Sequence, residues 1–389
     1  MERETIHVGT RRRAADYPAA VPGEEHATGA GAGQAAGADS EHATGTGSGH
    51  ATEAGSGDAT RLGAEHATGA GAGQATEAGT GQTTGTGTDG AAAGDDPAHE
   101  AWQGQTDGRP WMLRSLIAIF RRVDVRLLYG VMAVVVLFYM VGNRNGYRAM
   151  HDFFRRRMGY GRWRTLRAVY ANHFRFGQVI LDRFAVYAGR RFRIVIEHNE
   201  YYRELVTRPE GFLLVSSHVG NYELAGYSLH PEEKRLYALV FAGEKETVMQ
   251  NRARCFAGNN IEMVPVRCDM SHLFVANRAL LDGNIVGMPG DRLFGSQKSV
   301  RCNFLGAPAR FPLGPFALGV QRDVKMLSIF VMKESAKRYR IFVERIDTGD
   351  ETLPKKLRME LAARSFSAQL ERIVRRYPTQ WFNYYNFWE

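Results

Sequence analysis

The segment Phe212-Leu-Leu-Val-Ser-Ser-His218-Val-Gly220-Asn221-Tyr-Glu223 decides how the rest of the chain is read. Its apolar start predicts a short buried strand over 212–216, closed by Ser216 and Ser217. Gly220 permits a close or left-handed turn, and Asn221 is a favoured residue for capping a helix N-terminus. His218 is therefore expected in a loop between strand and helix, with Glu223 in the first helical turn. On one continuous helix, side chains five residues apart point about 140° away from each other and do not meet. With the loop placing His218 ahead of the helix, imidazole and carboxylate can converge.

Such a pair has a definite use. A hydroxyl is too weakly acidic to attack a thioester at neutral pH, so a neutral imidazole accepts its proton during attack. A carboxylate on the other ring nitrogen fixes the tautomer and stabilises the imidazolium that forms. The bland alternative is a His and a Glu that merely cap a helix. A hydrolase with Ser216 or Ser217 as nucleophile is a further alternative. Neither serine sits in a Gly-x-Ser-x-Gly elbow, and neighbours on a strand end point to opposite sides, so Ser217 is a poor partner for His218.

Working outward, short β-prone runs at 192–196, 212–216, 236–241, 261–266, 284–288, 326–331 and 340–346 alternate with helical patterns such as 162–189, 245–256 and 270–281. This order predicts an α/β fold, a mostly parallel central sheet flanked by helices, with its chemistry at the carboxyl ends of the strands. A second constellation follows the 284–288 run: Gly287-Met-Pro289-Gly290-Asp291-Arg292, and later Arg310. Asp291 at a strand end could hold an acceptor hydroxyl, and Arg292 and Arg310 could bind phosphate. The bland reading of Asp291-Arg292 is a turn with a surface ion pair.

The longest uncharged apolar run is Leu127-Leu-Tyr-Gly-Val-Met-Ala-Val-Val-Val-Leu-Phe-Tyr-Met-Val-Gly142. As a helix it reaches about 24 Å against a hydrocarbon core of about 30 Å, a short span that a buried core helix would also fit. Arg121, Arg122 and Arg126 precede it and Arg144 and Arg148 follow it, as at a bilayer interface. Residues 111–160 are expected to form a membrane-anchoring helical segment and 161–389 the catalytic domain.

Residues 1–100 are expected to be a disordered acidic tail. Most of the stretch is a loose Gly/Ala/Thr repeat, with Glu-His-Ala-Thr-Gly recurring at Glu25, Glu41 and Glu65, and it has almost nothing apolar to bury. It holds 5 Lys and Arg against 15 Asp and Glu, leaving 45 against 26 in the rest of the chain, a net of about +19. A basic body suits nucleic acid, anionic headgroups, phosphorylated sugars or an acidic carrier protein. No recognition-helix or aromatic-platform motif supports nucleic acid. Cys255, Cys268 and Cys302 have no paired spacing, so no metal site is expected, and no cleavable signal peptide is visible at Met1-Glu-Arg-Glu.

Taken together, four pieces in this order resemble the bacterial late acyltransferases of lipid A biosynthesis, within the wider lysophospholipid acyltransferase superfamily. They are the apolar run at 127–142 followed by basic residues, Ser217-His218-x-Gly-Asn-x-Glu223, the block from Pro289-Gly-Asp291-Arg-x-x-Gly295 to Phe304-x-Gly306, and Tyr377-Pro378-x-Gln380-Trp381-Phe382. The resemblance covers about residues 111–389, and Glu223 favours this branch over glycerolipid acyltransferases, which usually carry Asp there.

The resemblance implies a glycerolipid acyltransferase-like fold, an acyl carrier protein thioester as donor, a phosphorylated glycolipid as acceptor and no cofactor. It also implies that the N-terminal helix anchors the enzyme to the cytoplasmic face of a bacterial inner membrane. By motif, His218 is the base, Glu223 its partner, and Gly220, Asn221 and Asp291 fall at substrate-binding positions. An arginine is expected between them, with Arg252 or Arg254 as candidates. The ending Phe382-Asn-Tyr-Tyr-Asn-Phe-Trp388 and the acidic tail depart from the family pattern. They leave open other acceptors, such as phosphatidylinositol mannosides or pigment lipids, and an inactive assembly factor.

Overall fold

The computed structural model describes residues 3–8, 115, 118–229, 233–241, 260–267, 269–293 and 298–388. In chain order the elements are β1 (Arg3–Val8), α1 (Val125–Gly142), α2 (Arg144–Asp152) running into a π turn (Phe153–Arg157), and α3 (Arg162–Tyr187). Next come β2 (Phe192–Glu197), α4 (Asn199–Thr207), β3 (Phe212–Ser216), α5 (Glu223–Ser228), β4 (Leu236–Phe241), β5 (Ile261–Val266), α6 (Ser271–Leu281) and β6 (Ile285–Pro289). The chain ends with β7 (Ser299–Phe304), β8 (Ala307–Pro312), α7 (Gly314–Gln321), β9 (Met326–Ser335), β10 (Arg338–Arg345) and α8 (Lys355–Arg376). All seven expected β-runs are strands. The helix expected at 245–256 lies outside the described residues, as do Arg252 and Arg254.

The main sheet has the order β1-β2-β10-β9-β3-β6-β4-β5. Strands β9, β3, β6, β4 and β5 run parallel, and the β9–β10 hairpin reverses direction toward the β2 edge. The architecture is α/β with a mostly parallel central sheet flanked by helices. Strand β3 lies between β9 and β6 and is buried on both faces. Leu213 and Val215 join a core with Phe316, Phe366 and Leu370 from α7 and α8. Phe212 and Leu214 join a second core with Val186 of α3 and Leu205 of α4. That two-sided burial is why the strand reads as a continuous apolar run rather than an alternation.

Two features depart from expectation. Arg3–Val8, within the stretch expected to be a disordered tail, forms strand β1 antiparallel to β2, from Arg3 opposite Glu197 to Val8 opposite Phe192. The β-prone Thr5, Ile6 and Val8 add to an otherwise open sheet edge, an interaction that a composition argument over a hundred residues averages away. The β7–β8 ladder, with Val300, Cys302, Phe304, Ala309 and Phe311 turned inward, was also not anticipated.

Helix α1 packs against α3 with antiparallel register. Tyr129 reaches Asp182, Met132 lies against Gly177, and the Tyr170 hydroxyl donates to the Ala133 carbonyl at 2.9 Å. A Cβ at Gly177 would stand 2.6 Å from the Met132 sulfur, so a larger residue there would displace the Met132 side chain. Asp124 starts α1 by accepting from the Arg126 N–H at 2.8 Å. The opposite side of α1 is apolar and exposed, with Leu127, Val131, Val134, Phe138 and Val141 on one stripe and Phe138 75% accessible. Among the described residues, α1 is the one helix long and apolar enough to cross a membrane by length and composition.

Candidate active site

The site is built where two neighbouring parallel strands end. In the register of β3 and β6, Ser216 lies opposite Pro289, and the Gly290 N–H donates to the Ser216 carbonyl at 2.8 Å. Each chain then runs two residues on, which brings His218 and Asp291 side by side. Asp291 accepts twice from the same residue, from the His218 backbone N–H at 2.7 Å and at the ring Nδ1 at 2.8 Å. The Asp291 side chain is 1% exposed and that of His218 is 21% exposed, so the carboxylate is sealed while the ring keeps an open side.

The expected partner of His218 was Glu223, and Asp291 was expected to hold an acceptor hydroxyl. The structure instead places Asp291 at Nδ1. Glu223 is buried, forms an ion pair with Arg183 at 3.2 Å and accepts from the Tyr187 hydroxyl at 3.2 Å. The reason is topological: residue 291 is 73 positions away in sequence but one strand away in space, and the strand pairing that joins them leaves no local mark.

The electrostatics follow from these contacts. Burial pushes the His218 ring below its ordinary range, the Arg292 and Arg183 charges act the same way, and Asp291 opposes them. Burial alone would raise Asp291, but the His218 ring and N–H together with Arg292 outweigh it and hold the carboxyl low. The result is a neutral imidazole beside an ionised carboxylate at neutral pH. Accepting at Asp291 fixes the proton on Nδ1 and directs the ring's basic lone pair to Nε2.

The backbone of the loop is held from three sides. The His218 carbonyl accepts from the Phe382 N–H at 3.1 Å, and the Gly220 N–H donates to the Gln380 carbonyl at 2.8 Å. The Asn221 N–H donates to the Val331 carbonyl at 2.8 Å. Gly220 has φ +56°, and a Cβ there would stand 1.9 Å from the Val331 oxygen, so both the conformation and the close approach require glycine. Asn221 is not the helix cap that its residue type suggests. Tyr222 takes the cap position in a helical conformation, and the Asn221 side-chain oxygen accepts from Arg183 Nε at 3.4 Å.

The remaining expected residues fall as follows. Arg292 donates to the Phe382 carbonyl at 3.0 Å and lies 5.7 Å from the Tyr385 ring, so its described contacts secure the C-terminal segment beside the loop. Arg310 is exposed on β8, across the ladder from Arg301. Ser217 is buried, with no hydrogen-bond partner for its hydroxyl among the described residues, which does not suit a nucleophile.

Sequence reading missed Arg183 and gave Gln380 no role. Gln380 mimics a strand partner: its side chain accepts from the Lys333 N–H and donates to the Lys333 carbonyl, both at 2.8 Å. The Tyr-Pro-x-Gln-Trp-Phe segment was a visible signal without a visible role. Arg183 reaches the loop from a helix forty residues earlier and carries no signal of its own.

A carboxylate-oriented imidazole at the carboxyl ends of parallel strands can move a proton to or from a hydroxyl. No curated protein matches the chain. The family model described as bacterial lipid A biosynthesis acyltransferase matches residues 181–389, more than half of the sequence and all of the strand-end site, and the chain therefore belongs to that acyltransferase family.

Proposed function

We propose that this protein is an O-acyltransferase that moves a fatty acyl chain from an acyl carrier protein thioester to a hydroxyl of a lipid A-like or related glycolipid. His218 is the general base and Asp291 orients it. The acceptor hydroxyl gives its proton to His218 Nε2 as its oxygen bonds to the thioester carbon. The tetrahedral intermediate then collapses, the C–S bond breaks, and the departing thiolate takes the proton from the imidazolium. No enzyme nucleophile and no cofactor takes part.

The observation that carries this reading is the 2.8 Å contact between His218 Nδ1 and a sealed Asp291, with the ring itself partly open. The net charge of about +19 on residues 101–389 favours an acidic carrier as donor and a phosphorylated lipid as acceptor. Gly220 and Asn221 shape the loop over which the acceptor passes, while Arg252, Arg254, Arg292 and Arg310 supply cations for its phosphates. The exposed stripe of α1, with Arg121, Arg122, Arg126, Arg144 and Arg148 around it, supports attachment to the cytoplasmic face of a bacterial inner membrane. Residues 111–160 then form the anchoring segment and 161–389 the catalytic domain. The unusual Phe382–Trp388 ending leaves phosphatidylinositol mannosides and pigment lipids as alternative acceptors within the same chemistry.

The test is transfer of radiolabelled acyl groups from acyl carrier protein to extracted bacterial lipids by the full chain in detergent, with mass spectrometry of the product. Labelled lipid that disappears in His218→Ala is expected. Equal labelling by His218→Ala would overturn the assignment.

A further inference from the structure

Helix α1 is tied at both ends to the same folded body. Just before it, Phe120 is buried in the core that holds Val186 and Phe192, and Arg190 donates through Nε to the Phe120 carbonyl at 2.8 Å and through Nη2 to the Val123 carbonyl at 3.1 Å. Just after it, Phe153 and Phe154 are buried in the other core, where the Phe153 ring meets that of Trp381 at 4.9 Å. Between these points one side of α1 lies on α3, through Tyr170 at the Ala133 carbonyl and the Tyr139 and His173 rings at 6.0 Å. A helix that crosses a bilayer carries its flanks to opposite faces of a hydrocarbon layer about 30 Å thick. Here both flanks are built into one body. The neighbouring α3 also carries Arg175, Asp182 and Arg183, charged groups that are costly at the depth a spanning α1 would give them.

The exposed side of α1 continues onto α3. Around α3, Trp163 and Leu166 fall within about 40° of Tyr170, the residue that meets α1. Because the two helices run antiparallel, Trp163 and Leu166 stand beside the C-terminal half of α1, whose exposed face holds Val134, Leu137, Phe138 and Val141. Trp163 is 82% exposed, the most open large hydrophobic side chain among the described residues. At this margin Arg144, Arg148, Arg162 and Arg167 are exposed and have no carboxylate partner among the described residues. An apolar strip edged by a tryptophan and by arginines is complementary to a lipid surface with acidic headgroups.

We propose that α1 is a monotopic anchor that does not cross the bilayer: it lies in the plane of one leaflet, Trp163 and Leu166 extend its inserted face, and the four arginines meet the phosphates of acidic phospholipids. The inference rests on the reading of α1 as the membrane attachment and goes beyond it in fixing the topology and the residues of the contact. A face of this kind sinks about 5–10 Å into the boundary between headgroups and acyl chains. The apolar stripe then leaves water, while the α3 side of the helix and its charged residues stay above the hydrocarbon. Tryptophan suits that depth, because its ring is apolar and its indole N–H can bond headgroup oxygens. Both flanks of α1 remain on the face that holds the catalytic domain.

Cysteines on either side of α1 test the topology. In right-side-out and inside-out vesicles from expressing bacterial cells, full chains carrying Arg122→Cys or Arg156→Cys are treated with a membrane-impermeant maleimide, and peptide mass spectrometry separates these sites from the native cysteines. Both positions are expected to react from the same cytoplasmic face, and reaction from opposite faces would show a spanning helix and overturn the proposal. Flotation with vesicles of phosphatidylcholine and phosphatidylglycerol tests the contact. Trp163→Ala, and separately the double variant Arg162→Gln with Arg167→Gln, are each expected to weaken binding about tenfold or more with unchanged circular dichroism, the arginine effect fading in high salt. Wild-type binding by both variants would overturn the assigned contact. Self-association without vesicle binding would give the stripe to a second copy and overturn it too. A chain that transfers acyl groups yet binds no vesicle would remove the anchor while leaving the acyl-transfer reading in place.

Discussion

Among the described residues, two aspartates are buried against basic side chains, and they serve opposite ends. Asp291 meets His218 at the strand ends, with the imidazole 21% exposed. Asp182 on α3 meets Lys333 on β9 with both side chains fully sealed, and the hydroxyls of Tyr129 and Tyr339 close around the same carboxylate. The Lys333 ammonium also donates to the Tyr129 hydroxyl at 3.0 Å. In the sealed cluster, burial opposes charge on both partners, pushing Asp182 up and Lys333 down. Nothing from solvent can reach it, so its use is to pin α1, through Tyr129, to the sheet. The strand-end pair differs by one open face on the basic partner. That open face turns a buried ion-pair geometry into a place where a proton can be exchanged with a substrate.

The comparison breaks most visibly in activity. His218→Ala is expected to lower acyl transfer by about 10⁴-fold or more, and Asp291→Asn by about 10⁴-fold, with melting temperatures near that of wild type. Activity of Asp291→Asn within tenfold of wild type would show that the carboxylate does not orient the base. The sealed cluster should respond in the other observable. Lys333→Met leaves Asp182 without its counter-charge and is expected to cost about 3–5 kcal/mol in denaturant unfolding. Pairing it with Asp182→Leu should recover much of that loss, since removing both charges also removes the desolvation penalty.

A smaller effect is expected from Gly220→Ala. The added Cβ meets the Val331 carbonyl at a left-handed position, for a loss of about 1–3 kcal/mol in stability and a fall in kcat from displacement of His218. Thermal melts with steady-state rates check it, and unchanged values for both would refute the close approach. The finest test is pH. The folded His218 titrates below the ordinary imidazole value of 6.5, so the active neutral form persists as pH falls to that value and is lost only below it. The acid limb of kcat/KM should therefore lie below pH 6.5. Arg292→Gln should move it up, and Asp291→Asn should move its residual rate further down, because these groups act on the imidazolium with opposite sign. The same titration makes His218 contribute stability above pH 6.5 that is lost on acidification.

Much of the architecture was legible in the sequence. Apolar runs bounded by Gly, Pro, Ser and charged residues located seven strands of the main sheet, because a strand buried on both faces leaves a continuous hydrophobic signature. His218 was legible for the same reason, as the first titratable side chain after the central strand. Three things were not. β1 depends on a free edge offered by β2, and the β7–β8 ladder depends on the aromatic core of Trp381, Phe387 and Trp388 arriving from the C-terminus. The exchange of carboxylates, with Asp291 at the imidazole and Glu223 at Arg183, was also hidden. The His-x4-Glu spacing allows two side chains to converge but cannot say that another residue has already taken the position.

The order of apolar and polar residues alone determined that this chain builds a mostly parallel sheet, that a histidine stands at the end of its central strand, and that one helix before it is apolar enough to meet a membrane. Periodicity and burial are local properties, and a local pattern is enough to specify them. Which carboxylate holds that histidine, and which arginine stands beside it, was decided by the pairing of β3 with β6 and the packing of α3 against the loop. Those contacts join residues tens of positions apart, and only the closed sheet and its packed helices bring them within hydrogen-bond distance.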